Sequence, residues 1–181
     1  MSFIKDSIII SLIALAIVLP IRIFIFQPFL VNGDSMIPNF AHGDYLIVDE
    51  LSYRFGDPAR GDVIVFHPPN NSREDYIKRV IALPHDIVGI EEGIVYINGS
   101  PLDEPYIEDA PRYTLEEYEV PENNYFVLGD NRNHSNDSHN GWVLPRQNII
   151  GKAWLSIWPP DEWGLVSNYS LNEQLEIPES K

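Results

Sequence analysis

Two residue types in this chain could do chemistry together: a serine in a turn and a lysine in an apolar strand. Ser35 follows Gly33 and Asp34 and precedes Pro38, and such a segment is neither a regular helix nor a central strand. A turn of this kind can present a hydroxyl outward and leave backbone N–H groups free for a developing negative charge. The alternative is a solvated loop between two elements.

The lysine is Lys78, in the run Tyr76-Ile77-Lys78-Arg79-Val80-Ile81. If this run is a strand, Lys78 shares a face with Tyr76 and Val80, and Arg79 faces the other way. Burial on a dry face lowers the pKa of a lysine, because it disfavours the ammonium form. A neutral amine can accept a proton from a serine hydroxyl, so the two residues can form a dyad without histidine. An edge-strand lysine that discourages aggregation is the alternative.

A dense polar run forms the third unusual feature. Gly129-Asp130-Asn131-Arg132-Asn133-His134-Ser135-Asn136-Asp137-Ser138-His139 follows the predicted strand Tyr125–Leu128. Such a run is either a solvated loop or a hydrogen-bonded scaffold beneath an active site. Its two histidines and two aspartates match no metal-ligand spacing, so we predict no metal and no other cofactor.

The composition limits the possible partners. The formal net charge of -15 over 181 residues argues against nucleic acid, because nucleic-acid binding rests on clustered Lys and Arg. The chain has no cysteine, which excludes disulfides and thiolate metal sites. Its 15 prolines and 11 glycines favour turns and short strands over long helices.

The beginning of the sequence predicts a membrane anchor at residues 1–28. The run Ser7–Phe26 is apolar, and Arg22 is its only charged residue. A helix of about twenty residues spans about 30 Å, the thickness of the hydrocarbon core of a bilayer. We therefore expect one transmembrane helix with the amino terminus inside the cell. A cleaved signal peptide is the alternative, but the apolar run is long for one and no small-x-small cleavage site follows it.

After the serine turn, short apolar runs alternate with turns and predict a mainly β domain at residues 29–160. The predicted strands are Tyr45–Val48, Asp62–Phe66, Tyr76–Ala82, Ile87–Ile90, Ile94–Ile97, Tyr125–Leu128 and Ile149–Trp158. The acidic stretch at about 98–124 is expected to be a small surface excursion. Pro159-Pro160 is expected to close the fold, and residues 161–181 to form a loose acidic tail.

The ordered set of motifs resembles the type I signal peptidases, membrane-anchored Ser–Lys endopeptidases that release exported proteins. The motifs are GDSMIP, GDVIVF, YIKRVIALP, INGSPLDEPYI, GDNRNHSNDS and WVLP, and with the anchor they cover nearly the whole chain. The resemblance implies antiparallel coiled β-sheets and signal peptide removal by cleavage after small residues of the Ala-x-Ala type. It further implies a single-pass plasma membrane protein with its catalytic domain on the extracytoplasmic face. The expected partners are signal peptides of exported preproteins and the lipid bilayer, and the chain is expected to be a monomer.

The resemblance also implies roles for single residues. Ser35 matches the nucleophile, and its N–H one oxyanion donor, while Lys78 matches the general base. Gly33 stands where some relatives supply a second oxyanion donor from a serine hydroxyl, so another group must serve here. Ser135 matches the hydroxyl that orients the lysine amine. The implied supporting network is Asp130, Arg132, Asp137 and His139. The implied substrate pockets are lined by Phe29, Val31, Met36, Phe40, Tyr76 and Ile77.

Three positions depart from the usual pattern of this family. Asn39 replaces a threonine, His85 replaces a glycine, and His139 replaces an arginine that normally pairs with the preceding aspartate. None of these changes removes the dyad.

Two other functions remain open from the sequence. A self-cleaving repressor of related fold would need a basic helix-turn-helix before the serine, where this chain has an apolar run. A catalytically inert, membrane-tethered β module that binds peptides would need neither Ser35 nor Lys78.

Overall fold

The computed structural model describes residues 5–14, 16, 26–69, 74–169 and 171. Residues 5–14 form a helix, α1. Among the described residues, no helix is both long enough and apolar enough to cross a bilayer. Much of the predicted span Ser7–Phe26 lies outside the described residues, at 15 and 17–25, so the anchor stays a prediction.

The domain is mainly β, as the sequence predicts. Its strands are β1 Phe26–Leu30, β2 Tyr45–Asp49, β3 Val63–Phe66, β4 Tyr76–Ala82, β5 Ile87–Glu91, β6 Ile94–Ile97, β7 Ser100–Pro101, β8 Leu115–Glu119, β9 Asn124–Leu128, β10 Leu144–Pro145, β11 Ile149–Trp158 and β12 Gly164–Leu165. A short helix, α2, spans Ser52–Phe55, and 3-10 turns span Arg132–His134, Ser138–Asn140, Arg146–Asn148 and Pro160–Glu162.

The strands form two antiparallel sheets. The larger sheet has the order β1-β2-β11-β3-β4-β9-β10, with β12 paired to β11, and the smaller has the order β7-β6-β5-β8. Irregular register between β11 and β2, at Ala153/Leu155 and Ser156/Trp158, bends the larger sheet, since bulges increase the local twist.

β4 is the central strand for the site. It pairs with β3 on one side and β9 on the other, and all its residues but Tyr76 are buried. Arg79 lies opposite Leu128 at the end of β9, so the polar run after β9 begins beside Arg79. Three apolar clusters surround the strand, and Ile77, Val80 and Ile81 each belong to a different one.

The excursion at about 98–124 is more ordered than its sequence suggests. It contains β7 and β8, and β8 pairs with β5. The sequence of β8, LEEYE, shows no alternation of apolar and polar residues, because β8 is an edge strand that is exposed except for half-buried Leu115. Charged residues are typical of such edges, where they discourage pairing with other chains. Leu102, Tyr106 and Val120 of the same segment are buried in the core.

The fold also continues beyond Pro159-Pro160, contrary to expectation. Leu165 in β12 pairs with Leu155 in β11, and Val166 and Leu171 are buried in two of the apolar clusters. These apolar residues were not recognised because the surrounding segment is polar and acidic. Part of the predicted tail therefore packs on the domain, and residues 172–181 lie outside the described residues.

Candidate active site

The structure brings the predicted serine and lysine into direct contact. Lys78 Nζ donates a hydrogen bond to Ser35 Oγ at 2.6 Å and a second one to the carbonyl oxygen of Ile77 at 2.8 Å. Ser35 lies in the turn after β1, and Lys78 projects from the middle of β4. Two hydrogen bonds fix the amine at the distance that proton transfer from the hydroxyl needs.

The environment of Lys78 favours a neutral amine. The side chain is buried, with 3% of its surface exposed. Burial lowers the pKa of Lys78 from 10.5 to about 8, against the opposing charges of Asp137 and Asp130. An amine with a pKa near the working pH can both take and return a proton, as a general base and acid must.

The polar run holds the Ser35 turn through several hydrogen bonds. The backbone N–H of Asn131 donates to the carbonyl oxygen of Ser35 at 3.0 Å, and its side-chain amide donates to the carbonyl oxygen of Asp34 at 3.0 Å. At the other end of the turn, Asn39 Nδ2 donates to Asp130 Oδ2 at 2.8 Å. The turn is therefore attached to the polar run on both sides of the nucleophile.

Gly129 allows the close approach of these two segments. A Cβ at this position would lie 2.4 Å from the carbonyl oxygen of Ser35 and 2.3 Å from Ser135 Oγ. No side chain fits there without moving the turn.

Asp130, predicted to belong to the supporting network, is held by Arg79. Arg79 Nε donates to Asp130 Oδ1 at 2.9 Å and Nη2 donates to Oδ2 at 2.7 Å, and both residues are buried. No role for Arg79 is predicted from the sequence. The available signal was an arginine in an otherwise apolar strand, because a buried cation requires a carboxylate partner.

Arg132, also predicted to support the site, pairs with a residue that the sequence analysis missed. Its guanidinium donates to both carboxylate oxygens of Glu104, at 2.6 and 2.5 Å, and its Nε donates to the carbonyl oxygen of Gly129 at 3.1 Å. Tyr106 Oη donates to the same carboxylate at 2.7 Å. Glu104 was missed because it lies in an acidic segment whose carboxylates all look solvated.

Asp137 and His139 form the pair that the sequence predicts. His139 Nδ1 lies 2.6 Å from Asp137 Oδ1, and the second carboxylate oxygen of Asp137 accepts the Gly129 N–H at 2.8 Å. The histidine ring stacks on Tyr113, with ring centroids 4.1 Å apart. This contact joins the polar run to the excursion.

Ser135 differs from its expected arrangement. Its Oγ is buried and has no hydrogen-bond partner among the described residues. The expected hydrogen bond to the Lys78 amine is thus not formed, and the Ile77 carbonyl accepts from that amine instead.

An open cleft of ≈ 230 Å³ leads to the dyad, and Gly33, Tyr76, Ile77 and His134 are among the residues that line it. The Gly33 N–H donates to His42 Nδ1 at 3.2 Å, so this amide is already engaged. Among the described residues, no three potential metal ligands lie together.

The six predicted pocket residues divide into two groups. Tyr76 and Ile77 line the cleft. The other four belong to the apolar cluster beneath the serine turn, where three are buried and the fourth packs against them: Val31, Met36, Phe40 and Phe29. These four support the floor of the site in this structure.

Comparison with known proteins decides the family. The sequence model described as signal peptidase, peptidase S26, matches residues 4–158. The chain belongs to this signal peptidase family. The probable signal peptidase I-1 of Synechocystis sp. is 44% identical over 176 residues, covering 93% of this chain and 90% of its own length. The signal peptidase I of Bacillus caldolyticus is 42% identical over 162 residues, covering 81% of this chain and 87% of its own length.

A crystal structure of a signal peptidase I from Enterococcus faecalis V583 is also similar. It is 32% identical with a TM-score of 0.45, over 54% of this chain and 97% of that chain. The resemblance drawn from the ordered motifs is confirmed by the family match and the curated relatives. As a signal peptidase, the chain is a serine endopeptidase.

Two of the three departures from the family's usual residues make side-chain contacts in the structure, and the third has an unusual backbone conformation. Asn39 bridges Asp130 and the carbonyl oxygen of Tyr106, the latter at 2.7 Å. His139 pairs with Asp137. His85 has φ of 70°, in the left-handed region where glycine is favoured, which explains why a glycine is usual there.

Proposed function

We propose that Ser35 and Lys78 carry out the signal peptide removal that membership in the signal peptidase family assigns to this chain. The observation that carries the proposal is the 2.6 Å hydrogen bond between the buried Lys78 amine and the Ser35 hydroxyl. Ser35 borders the cleft, whereas the amine is shielded from bulk water. This arrangement suits a nucleophile that meets substrate and a base that must lose its proton.

The proposed reaction has two stages. Neutral Lys78 takes the proton of Ser35 as Oγ attacks the carbonyl carbon of the scissile peptide bond, and the Ser35 N–H stabilises the oxyanion that forms. The ammonium then gives its proton to the leaving amine, which departs as the new amino terminus of the mature protein. Lys78 next activates a water molecule that hydrolyses the ester on Ser35 and releases the signal peptide.

We further propose that cleavage follows small residues of the Ala-x-Ala type. The cleft beside Ser35 is shallow and open, and Tyr76 and Ile77 form part of its wall. A wall of this kind accommodates a methyl group beside the scissile bond, whereas larger side chains would need a deeper pocket.

The proposed site of action is the extracytoplasmic face of the plasma membrane, with a single membrane-spanning anchor and a monomeric catalytic domain. The apolar run Ser7–Phe26, in which Arg22 is the only charged residue, supports the anchor. Exposed apolar side chains on one end of the larger sheet support contact with lipid. Leu30, Tyr45 and Trp158 lie opposite one another on β1, β2 and β11, and Trp163 beyond β11 is exposed. Trp and Tyr favour the membrane–water interface.

Incubation of the purified full chain with a preprotein, followed by mass determination of the products, tests the activity. We expect one cut after an Ala-x-Ala sequence. Ser35→Ala should abolish this cut and leave the fold intact. Lys78→Arg should be nearly as damaging, because arginine stays protonated and cannot accept the serine proton. Substantial cleavage by Lys78→Arg would contradict the assignment of the base.

A second experiment separates the proposed enzyme from an inert peptide-binding module. A serine-reactive acylating probe should label the wild type on Ser35 and should not label Ser35→Ala. For the anchor, the full chain should stay with the membrane fraction after carbonate extraction. A native amino terminus between Phe26 and Val31 would show that the apolar run is a cleaved signal peptide instead.

A further inference from the structure

The segment formed by residues 166–169 and 171, called here the C-terminal strap, packs against β3 and the residues just before it. It lies beyond the end of the family match at residue 158. The N–H of Val63 in β3 donates to Asn168 Oδ1 at 3.0 Å, and Leu171 is fully buried in an apolar cluster. A Cβ at Gly61 would lie 1.7 Å from the carbonyl oxygen of Tyr169, so the strap rests directly on the backbone there.

The strap covers Arg79. Arg79 Nη1 donates to the carbonyl oxygens of Gly61 at 2.9 Å and Ser167 at 3.3 Å. The Arg79 guanidinium carbon lies 4.2 Å from the ring centroid of Tyr106 and 5.3 Å from that of Tyr169. The two tyrosine rings pack against each other, with centroids 5.0 Å apart. The strap thus supplies both a hydrogen-bond acceptor and part of the aromatic cover of this cation.

The Arg79–Asp130 ion pair connects the strap to the nucleophile. Asp130 Oδ2, which accepts from Arg79, also accepts from Asn39 at the end of the Ser35 turn. The next residue, Asn131, donates to the carbonyl oxygen of Ser35. A movement of Asp130 would therefore move both attachments of the turn.

We propose that the C-terminal strap is a positioning element of the active site and that Tyr169 is a positioning residue within it. The strap shields Arg79 from water and keeps it paired with Asp130. Through this ion pair the strap fixes the position of the Ser35 turn and the electrostatic field at Lys78. The proposal rests on the proposed Ser35–Lys78 mechanism. It makes the reaction depend on a segment that contributes no group to the chemistry.

The pH dependence of the reaction rate reports on the electrostatic field at Lys78. A loss of stability alone would not shift this pH dependence. The negative charge of Asp130 raises the pKa of Lys78 against the effect of burial, and Arg79 compensates part of that charge. If the strap loosens and water separates Arg79 from Asp130, more of the carboxylate's charge acts on the amine. The pKa of Lys78 then rises, and the rate at neutral pH falls.

Other charged groups near Lys78 are not held by Tyr169. Asp137 is held by Gly129 and His139. The remaining titratable groups that line the cleft are Asp34, Glu74, Asp75, Tyr76 and His134. A substitution at Tyr169 leaves the covalent identity of all these groups unchanged, so a shift in the pH profile reports on Arg79 and Asp130.

The test compares Tyr169→Leu and Tyr169→Ala with Tyr169→Phe, all in the full chain in detergent. Leucine keeps apolar volume without the ring face, and phenylalanine keeps the ring. Val95→Ala, which removes buried atoms from the smaller sheet, is the control for destabilisation. The measurement is kcat/KM against pH for a peptide with an Ala-x-Ala site, with circular dichroism to verify folding at each pH.

We expect the acid limb of the profile to move to higher pH by about half a unit in Tyr169→Leu and Tyr169→Ala. At neutral pH this corresponds to a loss of about threefold in kcat/KM. Tyr169→Phe and Val95→Ala should keep the wild-type limb. If Tyr169→Ala does not fold, Tyr169→Leu decides the result.

The proposal would be overturned if Tyr169→Leu and Tyr169→Ala fold and their acid limbs lie at the same pH as that of the wild type. An equal shift of the acid limb in Val95→Ala would also overturn it. A failure of the proposed function looks different. In that case the wild type itself leaves the peptide uncut, or Ser35→Ala still cuts it.

Discussion

Arg79 donates two hydrogen bonds to the carboxylate of Asp130, at 2.9 and 2.7 Å. Arg79 directly follows Lys78, the residue that contacts Ser35. β4 therefore carries two buried basic side chains in succession with different tasks. Lys78 is buried, no carboxylate of a described residue is in direct contact with its amine, and its pKa falls to about 8. Arg79 is paired and keeps its charge. Neighbouring positions on one strand thus supply a proton carrier and a fixed structural cation.

Removing the carboxylate from this pair should strongly destabilise the fold. Asp130→Asn leaves the Arg79 guanidinium buried without a counter-charge, which typically costs about 3–5 kcal/mol. The free energy of unfolding in urea measures the loss. Asp57→Asn is the matched control, because Asp57 pairs with Arg146 at 3.1 Å but is 80% exposed. The control should lose less than about 1 kcal/mol. Equal losses of unfolding free energy in the two variants would mean that the buried Arg79–Asp130 pair contributes no more to stability than the exposed pair.

His139→Arg should raise the thermal stability of the protein at neutral pH. Arginine carries a permanent charge and can donate two hydrogen bonds to one carboxylate. The wild-type histidine contacts Asp137 through Nδ1 alone, at 2.6 Å. Arginine also stacks well on an aromatic ring such as Tyr113.

The expected result for this variant is a higher melting temperature than that of the wild type at neutral pH. The gain in unfolding free energy is about 1 kcal/mol or less, since the side chain at residue 139 is partly exposed. Asp137→Asn in both backgrounds is the control and should remove the difference. Equal melting temperatures for the wild type and His139→Arg would show that a permanent charge at residue 139 adds nothing to stability.

Lys78→Met tests the buried amine through stability rather than activity. The folded-state pKa of Lys78, about 8, lies below its ordinary value of 10.5, so the unfolded state binds more protons between these values. The wild type therefore gains stability as pH rises from about 8 to about 10.5. Methionine has no proton to bind and should lack this gain.

The measurement for Lys78→Met is the difference in unfolding free energy between the two proteins across this pH range. At about 1.4 kcal/mol per unit of pKa, the difference should change by roughly 3 kcal/mol in favour of the wild type. A difference that does not vary with pH would mean that Lys78 keeps an ordinary pKa in the folded protein.

The chemistry of the site could be predicted from the sequence because it depends on residue type and local pattern. The sequence shows a lysine on an apolar strand and a serine in a Gly-Asp-Ser turn. These two residues can react together only if the amine is neutral and lies near the hydroxyl. For the polar run after β9, a hydrogen-bonded scaffold was one of the two interpretations that the sequence allowed. The pairing of Asp137 with His139 followed from their separation of two residues and from the family resemblance.

The partners of buried charges could not be predicted in the same way. Glu104 and Arg132 meet only because the excursion folds back onto the polar run, and Arg79 meets Asp130 only because β4 and β9 pair in a particular register. Such choices depend on tertiary packing, which no local pattern encodes. β8 was missed for a related reason, since an exposed edge strand shows little apolar alternation.

The pH dependence of kcat/KM of the wild type on an Ala-x-Ala peptide tests the central claim most directly, that buried Lys78 is the base for Ser35. Because burial lowers the pKa of Lys78 to about 8, the rate should rise with pH through a single step with a midpoint near 8 and then level off. A midpoint in the range of an ordinary histidine, or a rate independent of pH between 6 and about 9, would contradict the assignment.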